Sequence, residues 1–382
     1  MRKLRLLQRP PGDRGGGGLS SFQVPRSRFH VPTFQLLALG LIPFSRLDRE
    51  PSGANTKTLV GCSPGTDRAE RATGNIFDMK AFVFPGQGSQ YPGMGKDLVD
   101  EFDEARQVFQ EADEALGFSL SRLCFEGPQE QLRLTEKTQP AMLTVSIALL
   151  RILEKREQVP DFVAGHSVGE YAALVAAGGL DFQDAVRLVH QRGRFMQEAV
   201  SVGEGAMAAV MGLELTDIEN ICREAALGEV VSPANINSAD QIVISGHYQA
   251  VERAIELARA QGARKVVTLP VSAPFHCQLM KPAEERLSQV MEEISFLDLK
   301  VPLVNNLEAR EVKSAGEARE GLIRQVSSPV LWSESVERLV EAGVSNFLEV
   351  GPGKVLRALI RRIAPSVKVF SVGNREQVEA YV

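Results

Sequence analysis

Gly165-His166-Ser167-Val168-Gly169 stands between the apolar run 159–164 and the Ala-rich stretch 170–177. A G-x-S-x-G spacing between a strand pattern and a helix pattern is that of a nucleophile elbow. The turn is so tight that the residues two before and two after the serine have no room for a side chain, hence glycine. Such a turn lifts the Ser167 hydroxyl above a sheet. It also sets it at a helix N-terminus, whose free N–H groups and dipole favour a developing negative charge. An isolated G-x-S-x-G is common by chance, and the flanking patterns are what make Ser167 a candidate nucleophile.

Outward from the elbow, strand and helix patterns alternate from residue 81 onward. Strands are expected at 81–84 and 162–164, and helices at 102–115, 138–154, 170–177 and 181–199, which is the alternation of an α/β fold with a parallel sheet. The order then changes. A strand at 206–213, a helix at 215–226, strands at 230–235 and 241–245, a helix at 247–261 and a strand at 264–270 give β-α-β-β-α-β, the ferredoxin-like split unit. It reads as a small subdomain, residues 202–273, inserted into a larger body of residues 79–201 and 274–382. Further strands of that body are expected at 301–304, 346–350 and 368–372.

Residues 1–78 lack sustained periodicity. They carry 12 Lys and Arg against 6 Asp and Glu, a net +6, whereas the rest carries 31 against 42, a net −11. A disordered arm, an organelle transit peptide and translated sequence upstream of a start at Met79 all fit that arm. A start at Met79 leaves a self-contained body of 304 residues. An acidic body is not a general nucleic-acid binder, since phosphate neutralisation needs a basic face. No stretch approaches the roughly 18 apolar residues of a membrane span. Cys62, Cys124, Cys222 and Cys277 form no C-x-x-C pair and read as reduced thiols of a cytoplasmic protein. An organelle matrix is the alternative if residues 1–78 are a transit peptide.

A nucleophilic serine needs a base within hydrogen-bond reach. Of the histidines beyond the arm, the side chain of His166 should diverge from Ser167 across the elbow, and His190 and His247 read as structural or surface residues. His276, at the return from the inserted unit to the main body, is the candidate base. The loop Phe84-Pro85-Gly86-Gln87-Gly88-Ser89-Gln90 follows the first strand but lacks the glycine spacing of a dinucleotide fingerprint and the Gly-Lys-Ser/Thr of a P-loop. Its place is that of the loop donating the second oxyanion N–H in elbow enzymes, which pairs the backbone N–H groups of Gln87 and Val168. Arg192 and Arg194 alone would read as a solvated helix face.

FPGQGSQ at 84–90, TQPA at 138–141, GHSVGEYAAL at 165–174, QRGRFMQ at 191–197, SAPFHC at 272–277 and EVGPGKVL at 349–356 together resemble the malonyl-CoA:acyl carrier protein transacylases of the free-standing bacterial kind. The resemblance runs from about Met79 to the C-terminus. It implies an α/β-hydrolase-like large subdomain with an inserted ferredoxin-like small subdomain. It also implies a Ser167–His276 dyad, an oxyanion hole at Gln87 and Val168, and Arg192 as the residue that binds the malonyl carboxylate. Gln139 and Met196 match residues lining the acyl pocket, and the bulky Phe275 matches the malonyl-type pattern. In the family a backbone carbonyl rather than an acid orients the histidine, expected here at 329–331. The implied reaction is ping-pong malonyl transfer from malonyl-CoA to acyl carrier protein for fatty acid synthesis, by a monomer, with no metal, cofactor, membrane or nucleic-acid partner. A serine hydrolase or thioesterase with the same elbow is the rival enzyme. A catalytically dead carrier-docking subunit is the rival outside catalysis.

Overall fold

The computed structural model describes residues 79–271 and 273–382, so the readings of residues 1–78 lie outside it. Among the described residues ten strands form two sheets: β1 Met79–Phe84, β2 Phe162–Gly165, β3 Gly205–Met211, β4 Val231–Ser238, β5 Gln241–His247, β6 Lys265–Thr268, β7 Leu303–Val304, β8 Glu311–Val312, β9 Val344–Val350 and β10 Lys368–Val372. The main sheet has the order β10-β9-β1-β2-β7-β8, parallel except for the antiparallel edge strand β8.

Ala81–Phe84 of β1 are buried without a break, as a sheet covered on both faces requires, and successive side chains join opposite cores. Phe82 and Phe84 join one core with Leu149, Leu153 and Val163, while Ala81 and Val83 join another with Trp332, Phe347 and Ile360. From β1 the chain goes to β2, β7 and β8 on one side and returns to β9 and β10 on the other. Ligands of open α/β sheets sit at such a reversal, outside the carboxyl ends of the strands. The loops that leave β1, β2 and β7 at that edge carry Gln87, Ser167 and Asn306.

The second sheet, β4-β5-β3-β6, is antiparallel throughout. With the helices Leu215–Ala226 and Tyr248–Ala260 it encloses its own core around Ile218, Ile221, Ile244 and Ile255. It meets the main body through β4, where Ile236 N–H donates to the Val330 carbonyl and Val330 N–H to Ala234, each at 2.9 Å.

Sequence patterning overlooked the helices after residue 274. Lys281–Met291, Ala315–Gln325, Trp332–Glu341 and Val355–Ile363 interleave with the expected strands, and β7 is two residues long. Among the described residues no helix is long and apolar enough to cross a membrane.

The elbow glycines are fixed by close backbone approach. A Cβ on Gly165 would lie 2.0 Å from the Gly169 carbonyl carbon, and one on Gly169 would lie 2.1 Å from the Phe84 oxygen. No rotamer relieves a clash with backbone. Gly165→Ala is therefore expected to cost more than about 4 kcal/mol, the range of the most damaging single changes. Thermal melting checks this: soluble protein with an unchanged Tm would show that the elbow can open to admit a methyl group.

Candidate active site

Ser167 sits in the elbow with φ 52°, and His276 has φ 58°. Left-handed backbone costs a non-glycine residue on the order of 1 kcal/mol or more, so both members of the pair are held against local preference by their surroundings. For Ser167 the hold is Asn306. Its Oδ1 accepts from Ser167 N–H at 2.7 Å, and its Nδ2 donates to the Gly165 carbonyl at 2.6 Å. One amide just beyond β7 thus spans the turn.

His276 Nε2 lies 2.8 Å from Ser167 Oγ, and His276 Nδ1 lies 2.9 Å from the Gln325 carbonyl oxygen. A carbonyl only accepts, so the ring proton is on Nδ1, and the bare Nε2 accepts from the serine hydroxyl. The orienting carbonyl is thus Gln325 and not one at 329–331. The Val330 carbonyl is paired with β4 at 2.9 Å, whereas Gln325 ends the helix Ala315–Gln325 and its carbonyl takes only a long 3.4 Å bond from Ser328 N–H, which leaves it able to accept from the ring as well. Ser314 caps that helix by accepting from Glu317 N–H. Burial first, and then the neighbouring Arg192, push the His276 ring down to about 3. The imidazole is therefore neutral in the resting site at physiological pH and able to take a proton.

Arg192 is 1% exposed. Its guanidinium donates to Gln139 Oε1 and Gln325 Oε1, each at 2.9 Å, and to Ser167 Oγ at 3.2 Å. Every one of these partners is neutral, and Nε has none among the described residues. The helices bearing Gln139 (Thr135–Lys155) and Arg192 (Phe182–Glu198) approach closely at Gly193, where a Cβ would lie 2.6 Å from the Thr135 oxygen. Pro140 sits inside the first of these and cannot donate to the Glu136 carbonyl. His190 Nδ1 fills that place at 2.8 Å, which makes His190 a structural residue, as expected of it.

Gln139 Nε2 points at Met196 Sδ, 3.7 Å away, so Gln139, Met196 and Arg192 line one wall. Phe275 is buried in the main core beside His276. Gln87 is half-buried on the loop after β1, and its neighbour Gly86 is packed against the elbow, since a Cβ there would lie 2.7 Å from the His166 oxygen. Val168 precedes the helix Gly169–Ala176. Among the described residues neither Gln87 N–H nor Val168 N–H has a hydrogen-bond partner. The His166 ring turns away from Ser167 to Asn237 Oδ1 on β4, at 2.9 Å.

A neutral histidine bonded to a serine hydroxyl, beside a buried cation and two free N–H groups, suits acyl transfer through a serine ester. The model of the acyl transferase domain matches residues 81–376. A malonyl CoA-acyl carrier protein transacylase of Escherichia coli (strain K12) is 49% identical over 301 residues, covering 78% of this chain and 97% of its own. The chain belongs to the malonyl CoA-acyl carrier protein transacylase family. A solved transacylase from Coxiella burnetii superposes with a TM-score of 0.78 at 45% identity, over 80% of this chain and 98% of that one. A second solved relative, described as a malonyl-transacylase in complex with a type II PKS acyl-carrier protein, has the same TM-score and identity over 79% of this chain and 98% of its own.

Sequence reading missed Asn306, Gln325 and Glu170, which tie the named residues together. Glu170 stood in the GHSVGEYAAL run, and the pair Asn305-Asn306 stood at the expected end of β7. An acid directly after the elbow and two amides at a strand's carboxyl end were visible there, but nothing local marked them as buried or as partners of the site.

Proposed function

We propose that this chain transfers the malonyl group of malonyl-CoA to the phosphopantetheine thiol of acyl carrier protein, supplying extender units for fatty acid synthesis. The observation that carries the choice of acyl group is Arg192, a buried guanidinium that touches the nucleophile and has only neutral partners. A carboxylate on the acyl group supplies the directly bonded anion that none of these partners is, through the paired geometry that guanidinium favours.

In the first half-reaction Ser167 Oγ bonds to the thioester carbon while His276 Nε2 takes its proton. The oxyanion rests on the N–H groups of Gln87 and Val168. The C–S bond then breaks, and the His276 proton goes to the leaving CoA sulfur. In the second half the carrier thiol gives its proton to His276 and its sulfur bonds to the ester carbon. The C–O bond breaks, and the proton returns to Ser167. Gln139 and Met196 line the acyl pocket, with Phe275 beside it.

We read residues 79–382 as one acyltransferase domain, its large subdomain being 79–201 and 274–382 and its insertion 202–273. The protein works as a cytoplasmic monomer without metal or cofactor. The buried free thiols of Cys124, Cys222 and Cys277 agree with a reducing compartment.

Intact-protein mass spectrometry after mixing with malonyl-CoA tests the reading. A gain of one malonyl group on Ser167, discharged by holo-acyl carrier protein with malonyl appearing on the carrier, is the expected result. An unmodified Ser167 would end the proposal, and discharge to water at the same rate without carrier would favour a thioesterase.

A further inference from the structure

Glu170 is a buried acid at this site that the transfer steps leave unused. It stands in the first turn of the helix Gly169–Ala176 at 1% exposure, and among the described residues the buried acids are Glu170 and Glu349. Glu349 has an evident local role, accepting from the N–H groups of Leu356 and Arg357 and from the Ser371 hydroxyl. Glu170 instead stands behind the active site. Its Oε2 accepts from Asn306 N–H and from Gln325 Nε2, each at 2.9 Å. A side-chain amide has one donating and one accepting end, so holding Gln325 Nε2 turns Gln325 Oε1 toward Arg192. The other partner, Asn306, carries the elbow. One carboxylate therefore orients the side-chain amide of Gln325, which faces the guanidinium, and holds the backbone of Asn306, whose amide carries the nucleophile turn.

We infer that Glu170 is a positioning residue of the acyl site and the standing counter-charge of Arg192, and that it gains a proton when a substrate carboxylate takes over that cation. The inference rests on the malonyl reading above. Among the described residues Arg192 forms no salt bridge, and Glu170 reaches it through a single amide. The other titratable groups nearby are Tyr171 on its own helix, which feels the Glu170 charge, His276, whose Nδ1 is bonded to the Gln325 carbonyl, and His166 in the elbow, which is turned away to Asn237. His276 is neutral, and Asn306 and Gln325 from the remaining elements are uncharged.

An empty site thus holds one buried cation and one anion, and a malonyl-loaded site would hold a second anion. Two anions sharing one cation away from water push the proton affinity of the weaker acid up. Burial already raises the Glu170 carboxyl to about 7, against the opposing pull of Asn306, Gln325 and Arg192. Linkage is reciprocal: if malonyl raises the proton affinity of Glu170, a proton on Glu170 raises the affinity for malonyl by the same factor. Malonyl binding is therefore tightest below about pH 7 and weakens as the pH rises through that value. A neutral acyl group shows no such fall.

Titration calorimetry of the full chain carrying Ser167→Ala, which cannot be acylated, decides the point. Malonyl-CoA is titrated at about pH 7.5 in phosphate and in Tris, whose ionisation heats differ, so that the difference counts protons. The expected result is uptake of a large part of one proton with malonyl-CoA and none with acetyl-CoA, which carries the same CoA phosphates. Adding Glu170→Gln, which keeps an accepting oxygen but no charge, should abolish the uptake and give a malonyl-CoA affinity that no longer falls as the pH rises through about 7. Equal proton counts for the two ligands, or uptake that survives Glu170→Gln, would overturn the inference. If Glu170→Gln does not fold, the comparison of the two ligands on the Glu170 protein decides alone. Failure of the Ser167→Ala protein to bind malonyl-CoA while it binds acetyl-CoA would instead strike the malonyl reading itself.

Discussion

Ser167→Ala removes covalent malonylation entirely and lowers malonyl transfer to carrier protein on the order of 10⁶-fold, and His276→Ala lowers it nearly as far. The double variant is hardly slower than either single one, because the two side chains act as one unit. Ser167 Oγ is bonded to His276 Nε2 at 2.8 Å, and neither group has another partner able to do the other's work. Arg192 also touches Ser167 Oγ, but as a fixed cation it can only donate. What survives is the contribution of the oxyanion N–H groups and of binding, on the order of 10³-fold over water. Alanine at position 167 keeps the φ of 52°, so the variant should melt close to the parent. Transfer is followed by malonyl appearing on the carrier, and melting is followed in parallel. Additive losses in the double variant would mean that His276 serves some step other than proton transfer with Ser167.

Those two residues were within reach of sequence reasoning because their signals are local. Gly165 and Gly169 are dictated by backbone crowding inside one turn, and His276 follows the junction where the chain re-enters the main body. The α/β alternation and the split β-α-β-β-α-β order were legible for the same reason, since each helix or strand there carries its own period. What ties the site together has no local signature. The carbonyl that orients His276 is open to it because a helix ends at Gln325, where Ser328 N–H is a distant 3.4 Å donor, while Val330, within the stretch expected to orient the ring, is occupied by β4. Neither fact follows from the residues near 325. β7 is too short for an alternation to be seen, so Asn306 looked like a loop residue rather than the clasp of the elbow. Glu170 and Arg192 illustrate the same limit. Charged residues on helices read as solvent-facing, and only the tertiary packing buries them.

Arg192→Ala should lower acylation by malonyl-CoA by about 10²–10³-fold while changing acylation by acetyl-CoA much less, so that the preference between the two collapses. The guanidinium makes its bonds away from water, where truncating one partner of a charge-assisted pair costs roughly 3–4 kcal/mol. A neutral acetyl group never made that bond and forfeits only the packing of the wall. Arg192→Lys should recover little. A single ammonium cannot keep Gln139 and Gln325 at the 2.9 Å that each now has and still offer a carboxylate two parallel bonds. The truncation also leaves the Oε1 atoms of Gln139 and Gln325 without their donor, which costs stability on the order of 1–3 kcal/mol for each acceptor not reached by water. A lower Tm is therefore expected and does not by itself separate binding from structure. The ratio of the two acylation rates, measured on the same folded protein, does. Equal losses for malonyl-CoA and acetyl-CoA would make Arg192 a buried tie between two helices, and would return the elbow to the serine hydrolases of neutral esters.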